Sequence, residues 1–450
     1  MLSDNPEESG IQYQIADNEY RICITQQDVD DVNNNGVIAE ALPLSTKNAC
    51  TGDLKTSSIN ITFTRNSVAY TSNGAQVGVD IPRFEQGKFD KAVMVEEGTT
   101  NLLQYSEDFS QSVWFKTRVD ISSAGTYLNY PVTRFTPNTP GQPSEVSQTF
   151  LSSGAANRTF TWSFWARGQT NRQFRVNFYG GASVSYTINL TTEWQKFVIT
   201  HTFPPNATSA RIQWGRVFIY HLRTLNVAPY WGVDYTDWIE VAGVQVEEKP
   251  YATSYIKTTS SSATRSPETL TIPTAGVLNP QEGTVEFWLP AGRRTYGTNL
   301  PLQFIVDIGG TGSSGANVHI STEGKLRAQI GNGTVLDILT SDIVLNPNQA
   351  YYVAFKWWSG YYAISVNGVT KIKAFNHNFV PYSNLHLGCD GGYQRWLNGL
   401  IDDLRISSRA RTDEEIAAAY ASGQPLPVDA WTTLKLDFNG DLSTQSGVIP

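Results

Sequence analysis

Cysteine, methionine and histidine are scarce in this chain of 450 residues, which has three, two and five of them. So few cysteines cannot staple a disulfide scaffold. Cys23 and Cys50 could still pair across the N-terminal region. Cys389, inside the strand-like run Leu385–Cys389, reads as a small buried hydrophobe. His201, His221, His319, His377 and His386 show no close metal-ligand spacing, which disfavours zinc chemistry. Charge is sparse too, at 16% of residues with a net value of −8, and no Lys/Arg run stands out. Displacing phosphate counterions needs a dense basic stripe, so nucleic acid is not an expected partner. No apolar stretch approaches the roughly 20 residues needed to cross a bilayer, and membrane insertion is not expected. The opening Met1–Gly10 is polar and acidic, unlike a secretory signal. The expectation is a protein made in a cytosol and used without processing.

What is abundant points to strands. Glycine (36), tryptophan (12), tyrosine (21) and phenylalanine (20) are plentiful, and Leu/Ala runs are short. Aromatic side chains suit a half-buried strand surface, while glycine and proline gather in turns. The length suits about three domains. The expected class is all-β and multidomain, built of sandwiches or barrels.

Residues 1–80 read as a small N-terminal β domain for attachment, with strand-like runs at Tyr20–Thr25 and Ile59–Thr64 around the polar stretch Asp28–Gly36. Residues 81–101 read as an extended connector with strand character only around Ala92–Val95. Residues 102–257 alternate clearly in Thr159–Ala166, Phe174–Tyr179, Val184–Leu190, Trp194–Phe203, Ala210–Tyr220 and Trp238–Glu247, as a β-sandwich does. A Ser/Thr run, Thr258–Thr264, follows as a flexible or extended hinge. Residues 265–423 hold a second set of strands, with a hairpin turn at Asn367-Gly368. The spacing predicts one helix there: Thr412 as N-cap, Glu415 at the third helical position and Gly423 just past the end. In the extension 424–450, Thr433–Leu442 either opens a further domain or folds back to complete the sandwich. The second is preferred, because an orphan apolar strand leaves an exposed edge.

Two stretches carry family resemblances. Gly399–Tyr420 (GLIDDLRISSRARTDEEIAAAY), with Gly283–Trp288 (GTVEFW) and Tyr351–Gly368, resembles concanavalin A-like, laminin-G-type lectin domains. The likeness covers most of 265–423 and implies a lectin β-sandwich. Residues 101–259, opening NLLQYSEDFSQSVW and ending VAGVQVEEKPYATSYIKTT, resemble jelly-roll carbohydrate-binding modules. Together with the preceding PRFEQGKFDKAVMVEEGTTNLL, they are similar to structural proteins of tailed bacteriophages, in tails, baseplates or capsid decoration. That resemblance implies a location on the virion surface, with other virion proteins and host cell-surface glycans as partners and repeated copies as a homo-oligomer. The apolar edge at Thr433–Leu442 offers a place for strand addition.

Sugar recognition needs flat aromatic surface and a few fixed polar groups. Alternation sets Trp165 on the face opposite Trp162 and Phe164, and Trp214, Tyr230, Trp231 and Trp238 are further candidates. Gln245 and Glu247 share one face of the last jelly-roll strand, to line a ligand face or to make structural hydrogen bonds. In the second sandwich Val353, Phe355 and Trp357 read as core, and Trp358, Tyr361, Tyr393 and Trp396 as an outward aromatic patch.

Catalysis has little to rest on. Glycoside hydrolysis needs two carboxylates, and Gly283–Leu289 carries one, Glu286, while Val335–Leu339 carries only Asp337. No Gly-x-Ser-x-Gly elbow, His-Glu-x-x-His helix or Walker loop occurs. Calcium has one weak candidate: Asp31, Asn33 and Asn35 before Gly36 resemble the start of an EF-hand loop, but Leu42 stands where its bidentate Glu belongs. An Asx-turn loop is the simpler reading. Asp390, Asp402 and Asp403 could join a lectin-type calcium site, yet the last two belong to the strand signature in any case. No cofactor is therefore expected. The function expected is non-catalytic: a virion protein displaying glycan-binding sandwiches for host adhesion. The alternatives are pure architecture without ligand and a polysaccharide depolymerase.

Overall fold

The computed structural model describes residues 9–15, 18–24, 59–181, 183–215, 231–233, 236–291, 302–309 and 312–447, the first two stretches by backbone alone. Regular structure is nearly all strand, as the composition demands, and the one α-helix among the described residues is Asp413–Ser422. Asp31, Asn33, Asn35, Cys50, His221 and Tyr230 lie outside the described residues.

The alternating segments of the first sandwich form two antiparallel sheets. One runs Val119–Tyr127, Tyr130–Pro137, Ile239–Glu247, Thr159–Gly168, Gln195–Thr202; the other runs Ser183–Leu190, Arg172–Tyr179, Ala210–Gly215, Glu145–Leu151, Phe115–Thr117. Because side chains alternate across a strand, Trp162 and Phe164 turn inward from the first sheet and Phe174, Val176, Phe178, Ile212 and Trp214 from the second. Trp214 is the hub: the rings of Phe109, Trp114, Phe135, Trp162 and Phe164 lie 4.7–6.0 Å from it. Each buried aromatic removes about 150–250 Å² from water, worth several kcal/mol at ~25 cal/mol/Å².

The second sandwich packs a seven-stranded sheet against a nine-stranded one around Val285, Phe287, Ile305, Phe355, Trp357 and Ile406. Its hairpin between Tyr361–Val366 and Val369–Ala374 turns on Asn367 and Gly368, both at positive φ (52° and 77°). The helix carries the full capping box expected of Thr412 and Glu415, and Gly423 ends it in the left-handed conformation. Its buried Ile416 packs with Trp288, Tyr352 and Leu426 on the outer face of the nine-stranded sheet. The Asp402-Asp403 pair lies at a register shift in Gly399–Ser407, with Asp403 at φ 53°. Asp402 accepts from the backbone N–H groups of Lys88 and Phe89, and Asp403 from that of Leu426 and from Lys435. Both aspartates thus tie loops to the sandwich.

Residues 81–101 are not a free connector. Arg83–Gln86 pairs with Lys91–Val95, which pairs in turn with Gly399–Ser407, and Thr99–Asn101 pairs with Ala263–Arg265. The Ser/Thr hinge is held as well, since Thr258 exchanges two 2.9 Å hydrogen bonds with Ser106. The cause is a buried charge knot. Glu268 accepts from Arg65 at 2.8 Å and from Arg83 at 2.6 Å, and Glu96 accepts from Arg83 at 2.8 Å and Arg265 at 3.1 Å. All five side chains are buried. Charges out of water must be paired, so the segment cannot leave without stranding them.

The same knot draws in the end of the 1–80 segment: Thr62–Thr64 adds to the seven-stranded sheet beside Thr269–Pro273. At the other terminus Thr432–Leu436 pairs with Gly399–Ser407 on one side and Thr444–Gln445 on the other. The edge expected there for strand addition is therefore covered on both sides.

Candidate functional site

Several aromatics singled out in the sequence turn inward. Trp214 and Trp231 are core residues, at 1% and 2% exposure, and cannot stack on a ligand. The strand of Trp214 turns Arg211 and Gln213 to its other face, a choice that period-two alternation alone could not orient. Gln245 and Glu247 do face outward but are covered by the segment that follows them. Glu247 accepts from the backbone and hydroxyl of Thr253 at 2.8 and 2.6 Å, and Gln245 accepts from Ile256 N–H at 2.7 Å. Both are structural hydrogen-bond groups.

In the second sandwich, Trp358 and Tyr361 meet at the hairpin, stacked 5.6 Å apart, with Lys356 over Trp358. Tyr361 is exposed. Tyr393 lies elsewhere, edge-on to His386 at 5.5 Å, and Trp396 leans on the core with its Nε1 donating to Glu268 O. Of these four residues only Trp358 and Tyr361 meet each other, and Tyr393 and Trp396 each contact other groups. Glu286 is wholly buried, holding Arg405, Arg411 and the hydroxyl of Tyr352, and Asp337 is bound by Tyr362 and Lys373. No group of three His, Cys, Asp or Glu that could hold a metal occurs among the described residues.

Asp390 and Asp307 sit under the loop of Tyr393. Asp390 accepts from Gln394 and Arg395, the latter also through its side chain at 2.8 Å. Burial pushes Asp307 up to about 6, despite the Gly391 N–H that it accepts at 2.8 Å. Burial also lowers His319 to about 4. These groups fix the loop and its sheet.

The outward face of the second jelly-roll sheet is different. The register places Phe115, Ser147, Gln213, Asn177 and Ser185 side by side across five strands. The next row along is Thr149, Arg211 and Tyr179. An open groove of about 390 Å³ lies at one end of this face, lined by Gln104, Val113, Phe115, Ser147, Thr149 and Arg211.

Local chemistry holds each wall in place. Trp114 is buried and donates its Nε1 to Tyr105 O, which forces its neighbour Phe115 outward, where it is 54% exposed. Lys116 clamps the carbonyls of Phe109, Ser110 and Gln111. Gln148 exchanges two hydrogen bonds with the backbone of Gln104, leaving that residue's amide side chain for the groove. Arg211 rests over the ring of Tyr179 at 5.6 Å, and its Nε donates to Thr149 Oγ1 at 3.2 Å. The groove thus offers one aromatic wall, a planar amide, a planar guanidinium and the exposed hydroxyl of Thr149, whereas the Ser147 hydroxyl at its base is buried and donates to Glu145. Such a lining can stack on a sugar's C–H face and bond its hydroxyls in the plane.

Sequence reading missed Phe115 and Arg211. A signal existed: in Ala210–Gly215 (ARIQWG) the polar Arg211 and Gln213 alternate with core Ile212 and Trp214.

Residues 264–417 match the family model described as the Concanavalin A-like lectin/glucanases superfamily. Among curated proteins none matches the chain. Solved structures with a partial likeness include the binding domain of botulinum neurotoxin DC in complex with SialylT, at 15% identity, 36% of this chain, 41% of that chain and a TM-score of 0.28. Another is the enzymatically active domain of tailspike protein 2 of bacteriophage CBA120, at 15% identity, 38% and 29% coverage and a TM-score of 0.30. A third, titled for CBM4 structure and function, has 18% identity, 35% and 97% coverage and a TM-score of 0.23. The chain spans less than half the length of the neurotoxin binding domains that it matches. The C-terminal sandwich is therefore concanavalin A-like by its family match, and the groove lies in the sandwich before it, outside the matched residues.

Proposed function

We propose that this protein is a non-catalytic bacteriophage virion protein that adheres to host-surface glycan through the groove beside Phe115 and Arg211. The groove's composition carries the reading: an exposed aromatic ring faces planar hydrogen-bonding groups across about 390 Å³. The virion setting rests on the likeness of residues 81–259 to tailed-phage structural proteins. Single sites of this kind bind weakly, and repeated copies on a virion convert weak binding into firm attachment.

A depolymerase would need two carboxylates about 5–10 Å apart across the scissile bond. The lining residues of the groove include none. Glu286, the single carboxylate of Gly283–Leu289, is committed to two arginines. A glycan array probed with multimerised protein tests the reading, with Arg211→Ala as control. Binding that falls at least tenfold in the variant is the expected result. An array silent even with multimerised wild-type protein would sink adhesion and leave the architectural alternative.

A further inference from the structure

The outward face of the other jelly-roll sheet carries a second feature. Arg134, Glu240 and Arg167 lie directly opposite one another on three adjacent strands. Glu240 is buried, at 1% side-chain exposure, whereas Arg134 and Arg167 are 38% and 36% exposed. Both carboxylate oxygens of Glu240 are taken. Arg134 donates Nε and Nη2 to Oε1 at 3.0 and 2.7 Å, and Arg167 donates Nε to Oε2 at 2.7 Å. One carboxylate therefore holds two guanidinium groups, and a unit of positive charge is left over.

Aromatic rings flank both guanidinium groups. Arg134 lies over Trp238 at 4.3 Å, and Arg167 lies between Trp238 at 5.9 Å and Trp194 at 5.2 Å. Trp194 stacks in turn on Tyr127, 4.5 Å away and 13° from parallel, and Tyr127 meets Trp165 at 5.3 Å. The result is a continuous rib across the sheet, in which Arg134 and Arg167 flank Trp238 and the rings of Trp194, Tyr127 and Trp165 follow. Nε of Arg167, and Nε and Nη2 of Arg134, turn to Glu240, while both side chains remain more than a third exposed. Neither Nη of Arg167, nor Nη1 of Arg134, has a protein acceptor among the described residues.

A guanidinium flanked by rings, with outer N–H groups free, is pre-organised for a planar carboxylate. We propose that this rib is a second subsite that binds the carboxylate of an acidic sugar, so that the glycan recognised is a uronate-containing polysaccharide. The inference rests on the glycan-binding reading but on different residues. The rib's ring faces are occupied by one another, so the sugar ring is not its target. The excess charge selects the anion, and the groove on the opposite sheet handles neutral sugar surface.

The test uses the full chain with two probes, oligogalacturonate and the same oligomer with its carboxyl groups reduced. Tryptophan fluorescence and calorimetry follow binding. Wild-type protein should bind the acidic oligomer at least tenfold more tightly, and the preference should shrink as salt rises. Arg167→Gln should abolish the preference while reduced-oligomer binding stays unchanged, whereas Arg211→Ala should weaken the reduced oligomer most. Side-chain NMR of the wild-type arginines guards against a variant that fails to fold: oligogalacturonate should shift the Nε–Hε signals of Arg134 and Arg167. Equal binding of both probes, or unmoved arginine signals, overturns the acidic subsite and leaves the groove reading standing. If neither probe binds and the glycan array is silent, both readings fall.

Discussion

Two outward sheet faces in this molecule carry polar side chains in regular rows, and they have opposite fates. On the nine-stranded sheet of the C-terminal sandwich, Glu286, Tyr352, Lys356 and Arg405 face away from the core, yet a helix and its flanking turns, Arg411 among them, cover them. Their polar atoms are answered from within: Lys356 donates to Arg411 O and Asp413, and Arg411 holds Asp429 with both Nη atoms. On the second jelly-roll sheet, Arg211 and Thr149 lie open beside a groove. A polar residue at an outward strand position is thus a structural group when something in the chain covers it and stays open to a ligand when nothing does. Strand alternation is the same in both cases.

The largest way to test that contrast lies at the buried knot. Glu268→Gln leaves Arg65 and Arg83 short of their shared carboxylate, both out of water. We expect a loss of about 3–5 kcal/mol, the usual result of breaking one side of a buried ion pair. Urea unfolding and limited proteolysis between residues 81 and 101 would read it. A variant as stable as wild type would mean the knot does not hold the connector. Glu286→Gln comes next, at about 3 kcal/mol, since Arg405 and Arg411 keep other acceptors in Pro427 O and Asp429. Its glycan binding should be unchanged; a loss of binding or of any polysaccharide-cleaving activity would move Glu286 from structure to function.

A smaller effect is expected from pH. Burial raises both Asp402 and Asp307 to about 6, so the folded state holds their protons more tightly than the unfolded chain does. Their contribution to stability is fully present below about pH 4 and is lost as pH rises through about 6. Asp429 works the other way: the hydrogen bonds and charge of Arg411 outweigh burial and lower it to about 2. Its contribution survives until the pH falls toward that value. The melting temperature should therefore decline between pH 4.5 and 7. Asp402→Asn, which keeps an acceptor for Lys88 and Phe89, should flatten that decline and gain about 1–3 kcal/mol at pH 8. An unchanged slope would show that Asp402 stays ionised throughout.

How far the sequence spoke depends on which signal was local. The Asn367-Gly368 turn, the Thr412–Glu415 capping box and the inward run Val353, Phe355, Trp357 are short-range chemistry, and each could be read directly. Residues 81–101 could not. Their strands find partners some 160 to 300 positions away, at Ala263–Arg265 and Gly399–Ile401, and the distant charges that answer Arg83 and Glu96 are Glu268 and Arg265. The site was hidden for a related reason. Trp214 was chosen for its ring, while its neighbours Arg211 and Gln213 on the opposite face were passed over. Choosing between the faces needs the partner sheet, which lies on the Trp214 side. In Thr159–Gly168 the hint was stronger, because Trp165 and Arg167 share the outward face two residues apart.

The smallest expected change in stability belongs to the residue expected to matter most for binding. Arg211 is half-buried at the groove, and among the described residues its side chain makes one hydrogen bond to an exposed threonine and one ring contact with an exposed tyrosine. Removing such a surface group usually shifts stability by no more than about 0.5 kcal/mol. Arg211→Ala should therefore melt within a degree or two of wild type, while its affinity for the glycan that wild type binds falls at least tenfold. Arg211→Lys separates charge from shape: a lysine keeps the cation but loses the planar fork, and binding that depends on in-plane hydrogen bonds should not be restored. If lysine restores binding, the groove attracts its ligand by charge alone. The contrast between a covered face that stabilises and an open face that recognises would then rest on electrostatics rather than on the geometry of Arg211.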